Sequence, residues 1–192
     1  MARLCHAHGL TLSLEPHGDC PTDDLQYGQD ADINIGNFWA GSVARVNPDC
    51  EKLVSSIAHV WGRRYVGSEA FTAAPKGWLQ TPFTLKASGD RAYCMGINRV
   101  IYHRYAHQPW TNPTYVPGMT MGPWGMHFER TQTWWQQAKD WVTYESRCQH
   151  LLQEGRFVAD VAIFCGGRRP IPSRDGGFCR VAMISTDAPR RR

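Results

Sequence analysis

Glu69 lies in the run Arg64-Tyr-Val-Gly-Ser-Glu-Ala-Phe-Thr72, where a short strand-forming segment passes into a small polar cluster. A carboxylate delivered at a strand end is held rigidly enough to protonate a leaving oxygen, to take a proton from water or to attack as a nucleophile. Hydrolysis of a glycosidic bond needs two carboxyl groups in such roles. The plain alternative is a glutamate in a surface turn, and the local pattern weighs the two readings equally. Glu15 has the same placement after Leu10-Thr-Leu-Ser-Leu14. It is a second candidate carboxylate, hydroxyl binder or metal ligand, and a strand-end acid paired with Arg3 or His17 explains it equally well. Asp19, Asp23 and Asp24 follow in the same loop. Clustered acidic oxygens can hold calcium, but this spacing does not match the EF-hand loop, and solvated loop acids explain it better.

His103, Tyr105 and His107 alternate ahead of Gln108-Pro-Trp110. The spacing His-x-x-x-His places two zinc ligands on one face of a helix. This segment reads as extended and has no Glu between the histidines, so zinc is not expected. In an extended chain the three side chains point the same way, a row of hydroxyl-binding groups suited to a pocket mouth. Trp39, Trp110 and Trp124 are candidate apolar platforms for sugar faces, although each taken singly is better explained as packing under a loop. Glu129 reads as a first-turn acid that complements the dipole of the helix after it. The stripe Trp134, Trp135, Ala138, Trp141, Val142, Leu151 has helical spacing and reads as core.

The elements that must position these groups alternate between strand and helix. Ala2–His8 reads as the end of a helix closed by Gly9, so the chain reads as starting in the middle of something larger. Leu10–Leu14, Ala31–Ile35, Arg64–Gly67 and Ile97–His103 predict strands. Helices are predicted over Pro48–Gly62, from Thr81-Pro82 to Gly96, and from about Thr131 to Gln153, the last after a Pro/Gly/Trp-rich loop over 109–125. Val158–Phe164 predicts a final apolar strand. Alternation of this kind indicates a parallel sheet. A doubly wound sheet would show a glycine-rich phosphate turn after a strand, and none is present. All four strands end in polar, acidic or aromatic clusters, which favours a barrel whose catalytic groups sit at the C-terminal ends of its strands.

Bulk properties remove other classes. The chain has 192 residues, 42% hydrophobic and 20% charged, a globular composition. Its formal charge of +4 comes from seven arginines, Arg168, Arg169, Arg174, Arg180, Arg190, Arg191 and Arg192, crowded at the end. The remainder is close to neutral, so no nucleic-acid surface is expected. The seven cysteines are scattered without a Cys-x-x-Cys pair, which argues against a disulfide framework or zinc ribbon. No run is long and apolar enough for a membrane span, and the first residues lack a signal-peptide pattern.

Ser68-Glu-Ala-Phe-Thr72, Gly96-Ile-Asn-Arg99, His103-Arg-Tyr-Ala-His-Gln-Pro109, Pro117-Gly-Met-Thr-Met121, His127-Phe-Glu-Arg130, Thr133-Trp-Trp135, Arg147-Cys-Gln149 and Val158-Ala-Asp-Val161 occur in order. The succession resembles the α-L-rhamnosidases of glycoside hydrolase family 106, from about Gly9 to Gly166. The resemblance implies an α/β fold, a partial (β/α)8 barrel comprising approximately strands five to eight over 1–156. Residues 157–166 would open a following domain, and 167–192 would be a disordered or aberrant basic tail. It implies a calcium-dependent, inverting hydrolase acting on terminal α-L-rhamnose in a glycan, placed outside the cell or in the periplasm. Glu69 would be the general base, and the general acid would lie on an earlier strand. Asn37, Trp39, His103, Tyr105, His107 and Trp110 would bind the substrate. Where the family carries a Glu, this chain has Asn37, which cannot titrate. An N-terminal barrel half would be the complementing partner, since an open half-barrel leaves two parallel edges unpaired. The rival reading is a carbohydrate-binding remnant without catalysis.

Overall fold

The computed structural model describes residues 1–16, 23–40, 48–74 and 76–161. Helix α1 spans Ala2–Ala7, and Gly9 follows with a positive φ of 68°. The amide of Leu10 still donates to the carbonyl of Cys5 in the helix end, so Leu10 cannot join the sheet. Strand β1 is therefore only Ser13–Leu14, shorter than the Leu10–Leu14 expected. A four-residue helix α2, Asp24–Tyr27, is capped by the Asp23 carboxylate. Strand β2 is Ile33–Trp39, helix α3 is Pro48–Val60 and strand β3 is Tyr65–Thr72. Helix α4, Pro82–Cys94, begins as the sequence predicts: Thr81 and Thr84 exchange side-chain and backbone hydrogen bonds in a capping box, with Pro82 at the first helical position.

Strand β4 is Arg99–Tyr102. It starts at Arg99 because the Asn98 side chain takes over the pairing there, accepting from the Val66 amide and donating to the Arg64 carbonyl, both at 2.8 Å. The final helix is also shorter than the period suggests. Trp135–Gln137 form a 3-10 turn, and α5 proper is Ala138–Leu152. Residues just before it are bound to other parts of the chain: Gln132 donates to the Trp78 and His127 carbonyls, and the Trp134 indole donates to the Gln80 carbonyl. No strand forms over Val158–Val161, and residues 162–164 lie outside the described residues. Phe157, the first residue of the segment expected to open a new domain, stacks on His59 of α3 with ring centres 3.7 Å apart.

The four strands make one parallel sheet in the order β1-β2-β3-β4, each beside its neighbour in sequence, with no crossover that reverses direction. Helices α3, α4 and α5 pack against it, and their apolar residues meet one set of strand side chains. The core joins Phe38, Val66 and Ala70 of the strands to Val54, Ala58, Leu85, Ala92 and Trp141 of the helices. Gly36 permits the close approach of α3, since a β-carbon there would lie 3.1 Å from Val54 and 3.3 Å from the Cys50 carbonyl. The alternate side chains, Ile33, Ile35, Asn37 and Trp39 of β2, Tyr65 and Glu69 of β3, and Arg99 and Ile101 of β4, form the opposite face and are half-buried to exposed. One face is thus built over by helices and the other is open, with Ile33, Ile35 and Tyr65 toward the starts of β2 and β3 and Asn37 and Glu69 nearer their ends.

Two buried carboxyls in the helix layer make stability depend on pH. Burial pushes Glu51 of α3 up to about 7, although Arg91 approaches its Oε2 at 3.5 Å. Burial likewise pushes Glu145 of α5 up to about 7, only partly opposed by the Tyr93 hydroxyl. For both acids the folded value exceeds the unfolded 4.5, so the fold is favoured while they stay protonated. That stabilisation is complete below about 4.5 and is lost as pH rises through about 7. The thermal midpoint should therefore fall across this window in calorimetry, and Glu145→Gln should make the fall clearly shallower.

Candidate active site

Glu69 occupies the open face near the C-terminal end of β3, between Asn37 of β2 and Ile101 of β4 in the register. Its side chain is 38% exposed. Thr72 donates its hydroxyl to Glu69 Oε1 at 3.0 Å, and the same hydroxyl lies 3.0 Å from His103 Nδ1. His103 Nδ1 is itself 3.5 Å from Glu69 Oε1. The imidazole is fixed from behind, because the His103 amide donates to the Ala70 carbonyl at 2.9 Å and extends the strand pairing by one step. Above them, Trp39 at the end of β2 meets Trp124 edge to face, with ring centres 5.7 Å apart. A carboxylate, a hydroxyl, an imidazole and an amide side chain thus share one strand-end surface rimmed by two indoles.

Thr72 is the member that sequence reasoning does not supply. Strict alternation from Glu69 would send Thr72 toward the helices and Phe71 onto the open face. The register shows why the reverse holds: Asn37 pairs with Glu69, but Trp39 pairs with Thr72, so β3 carries one extra residue. Phe71 takes up that residue with a φ of +62°, the left-handed region, and is alone among the described non-glycine residues in doing so. Its ring turns into the core against Phe38, Tyr102 and Trp141. Such a bulge re-aims the side chain that follows it.

The other expected site residues divide into two groups. Asn37, Trp39 and His103 join Glu69. Tyr105, His107 and Trp110 do not continue a row from His103, because β4 ends at Tyr102 and the chain turns out into a long excursion. Tyr105 is 65% exposed and faces Trp135, while His107 packs against Trp110, which in turn meets Tyr115. The excursion is closed at its base by reciprocal bonds between the backbones of His103, Arg104 and Met126, and by the Gly125 amide on the Ala73 carbonyl. Glu15 follows β1 at the same end of the sheet and is exposed.

Glu129 is a correction. It lies well before α5 and is only 1% exposed, so it is not a solvated acid at a helix start. Its Oε2 accepts from the Thr131 amide at 2.8 Å, its other oxygen bonds the Thr131 hydroxyl, and its charge faces the buried Arg104. Arg104 in turn donates to the Trp124 carbonyl at 3.0 Å, so this acid and this base hold the loop that carries the Trp124 rim. Among the described residues no three His, Cys, Asp or Glu side chains converge to hold a metal ion. Asp23 is engaged as a helix cap, and Asp19 lies outside the described residues. The donors among the described residues therefore do not make a calcium cage. A cavity of about 850 Å³ lined by Arg63, Arg64, Asn98 and Phe157 sits at the opposite, N-terminal end of β3 and β4, away from Glu69. No helix among the described residues is long and apolar enough to cross a membrane.

A family description for α-L-rhamnosidase, glycoside hydrolase family 106, matches residues 1–174. A protein of Formosa agariphila named "Putative beta-glucuronidase" is 44% identical over 167 residues, which is 87% of this chain and 14% of that protein. The solved rhamnosidase from Novosphingobium sp. PP1Y superposes with a TM-score of 0.76 at 32% identity, covering 84% of this chain and 16% of its own. The parallel sheet with its helix layer is similar to part of a solved rhamnosidase. The chain belongs to glycoside hydrolase family 106, the α-L-rhamnosidase family, and it spans about one-seventh of the length of the relatives it matches.

Removing the Glu129 carboxylate leaves Arg104 buried without its facing charge and Thr131 without its acceptor. Glu129→Ala should lower unfolding stability by about 2–3 kcal/mol, read as a lower midpoint in urea denaturation. An unchanged midpoint would show that the loop is held by other contacts.

Proposed function

We propose that this chain carries the water-activating side of an inverting α-L-rhamnosidase site, with Glu69 as general base. The position of Glu69 carries the reading. It is a partly exposed carboxylate on the open face, at the strand end where parallel barrels keep their catalytic groups, and Thr72 and His103 fix its orientation. An ionised carboxylate held in this way can accept a proton from a water poised over the sugar. Asn37, next to it in the register, would bind a sugar hydroxyl as donor or acceptor. Rhamnose is a 6-deoxy sugar, and its methyl group and apolar ring face suit the Trp39 and Trp124 indoles.

Inversion needs a second carboxyl group about 6.5–9.5 Å from the first, with room between them for water. In this proposal that general acid comes from a further segment of four strands, which closes the open face into an eight-stranded barrel with this chain as strands five to eight. The sequential strand order and the one-sided helix layer support such a closure. The apolar residues low on the open face, Ile33 and Ile35, then join the packed interior of the barrel. The natural substrate would be a rhamnose-containing glycan. The name of the Formosa agariphila relative favours a second reading, in which the sugar removed is a β-linked glucuronic acid.

The purified chain should turn over an aryl α-L-rhamnoside no faster than background, since one carboxylate of the pair cannot run the reaction alone. Co-expression with the complementing barrel half should restore turnover. In the restored enzyme Glu69→Gln should lower kcat by about 10²–10⁴-fold with little change in KM. Robust turnover by the isolated chain, or full activity in the restored variant, overturns the assignment. An aryl β-glucuronide assayed beside the rhamnoside decides between the two sugars.

A further inference from the structure

The bulge at Phe71 does more than bury a ring. It brings a hydroxyl to a point 3.0 Å from both Glu69 Oε1 and His103 Nδ1, and that hydroxyl has a single proton. An ionised carboxylate can only accept, so the Thr72 proton must point to Glu69. The Thr72 oxygen then faces His103 with lone pairs, and the bond between them forms only if Nδ1 carries a proton. Glu69 Oε1, 3.5 Å from the same nitrogen, adds a second acceptor on that side. An unprotonated Nδ1 would set its lone pair against two oxygens at once.

We propose that Thr72 is a positioning residue of the site, a one-way hydrogen-bond relay that runs from His103 Nδ1–H through the Thr72 hydroxyl to Glu69. The relay orients the Glu69 carboxylate and locks His103 in the tautomer that imidazole disfavours in water. It leaves His103 Nε2 as the nitrogen with an available lone pair. Neutral His103 therefore meets a sugar hydroxyl as an acceptor at Nε2, not as a donor. The geometry is enforced from both sides. The Thr72 carbonyl accepts from the Ala40 amide at 2.8 Å and the His103 amide is tied to Ala70, so neither partner can drift from the other. The inference uses the reading of Glu69 as the reactive carboxylate only for its consequence, since the hydrogen-bond directions follow from the three groups themselves.

The tautomer is readable in this chain without substrate. Nitrogen-15 NMR at about pH 8, where imidazole is neutral, distinguishes a protonated Nδ1 from a protonated Nε2, and His103→Gln identifies the signal. Wild type and Thr72→Ser, which keeps the hydroxyl, should both show His103 chiefly as the Nδ1–H form. Thr72→Val should shift it to the Nε2–H form. A wild-type His103 found chiefly as Nε2–H overturns the relay, and this reading does not need either Thr72 variant to fold. Retention of the Nδ1–H form in Thr72→Val overturns it too, because Glu69 would then set the tautomer directly. A chain inactive on every glycoside still answers the question, so the failure of this inference and of the proposed function are separable.

Discussion

The site depends on one backbone irregularity in β3. Phe71 adopts a left-handed conformation that costs a β-strand residue of its size roughly 1–3 kcal/mol. Full burial of the ring returns about as much, and edge or stacked contacts to Phe38, Tyr102 and Trp141 add to it. The core also has a slot shaped for the ring: a β-carbon on Gly89 of α4 would lie 3.2 Å from its tip. The apolar side of the sheet thus holds the strain that the polar side uses. With Phe71 drawn inward, Glu69 and Thr72 come onto one face, and His103 on the next strand completes the group.

The two faces of the sheet carry different kinds of interaction. On the helix side, apolar groups fill the space between strands and helices, and the ionisable groups buried there are held toward their neutral state, as Glu51 and Glu145 are. On the open side the order changes along the two inner strands, from Ile33 and Ile35 to Asn37 and Trp39 on β2, and from Tyr65 to Glu69 on β3. A gradient of this sort suits a surface whose lower part is packed and whose upper part meets solvent and ligand. The loop over the upper part is itself anchored by a buried acid and base, Glu129 and Arg104, so the Trp124 rim is set by electrostatics as well as packing.

Much of the framework was legible from pattern. The helix starting at Thr81-Pro82 and the glycines that end α1, α3 and α4 follow from short-range rules of capping and backbone freedom. The alternation of elements put Glu69 and His103 near strand ends, although β3 runs on to Thr72 where the pattern stops it at Gly67. Strand lengths were less legible, because they depend on distant partners: Leu10 is held by a helix end and Asn98 substitutes its side chain for a backbone pair. The row His103, Tyr105, His107 presumed an extended chain, whereas β4 stops at Tyr102, opposite Ala70, where β3 goes into its bulge at Phe71.

The sequence by itself determined the parallel alternation of strands and helices, the family, and Glu69 as a carboxylate near the end of a strand. These rest on local spacing and residue type, which a linear pattern records. Tertiary structure alone decided that Thr72 shares a face with Glu69 and that Glu129 is buried against Arg104 while Tyr105 and His107 leave the strand-end surface. A bulge arises when one strand carries one residue more than its neighbour, so it exists only in the pairing of two strands. Burial of an acid is likewise set by what lies opposite it in space, and neither can be read along a single chain.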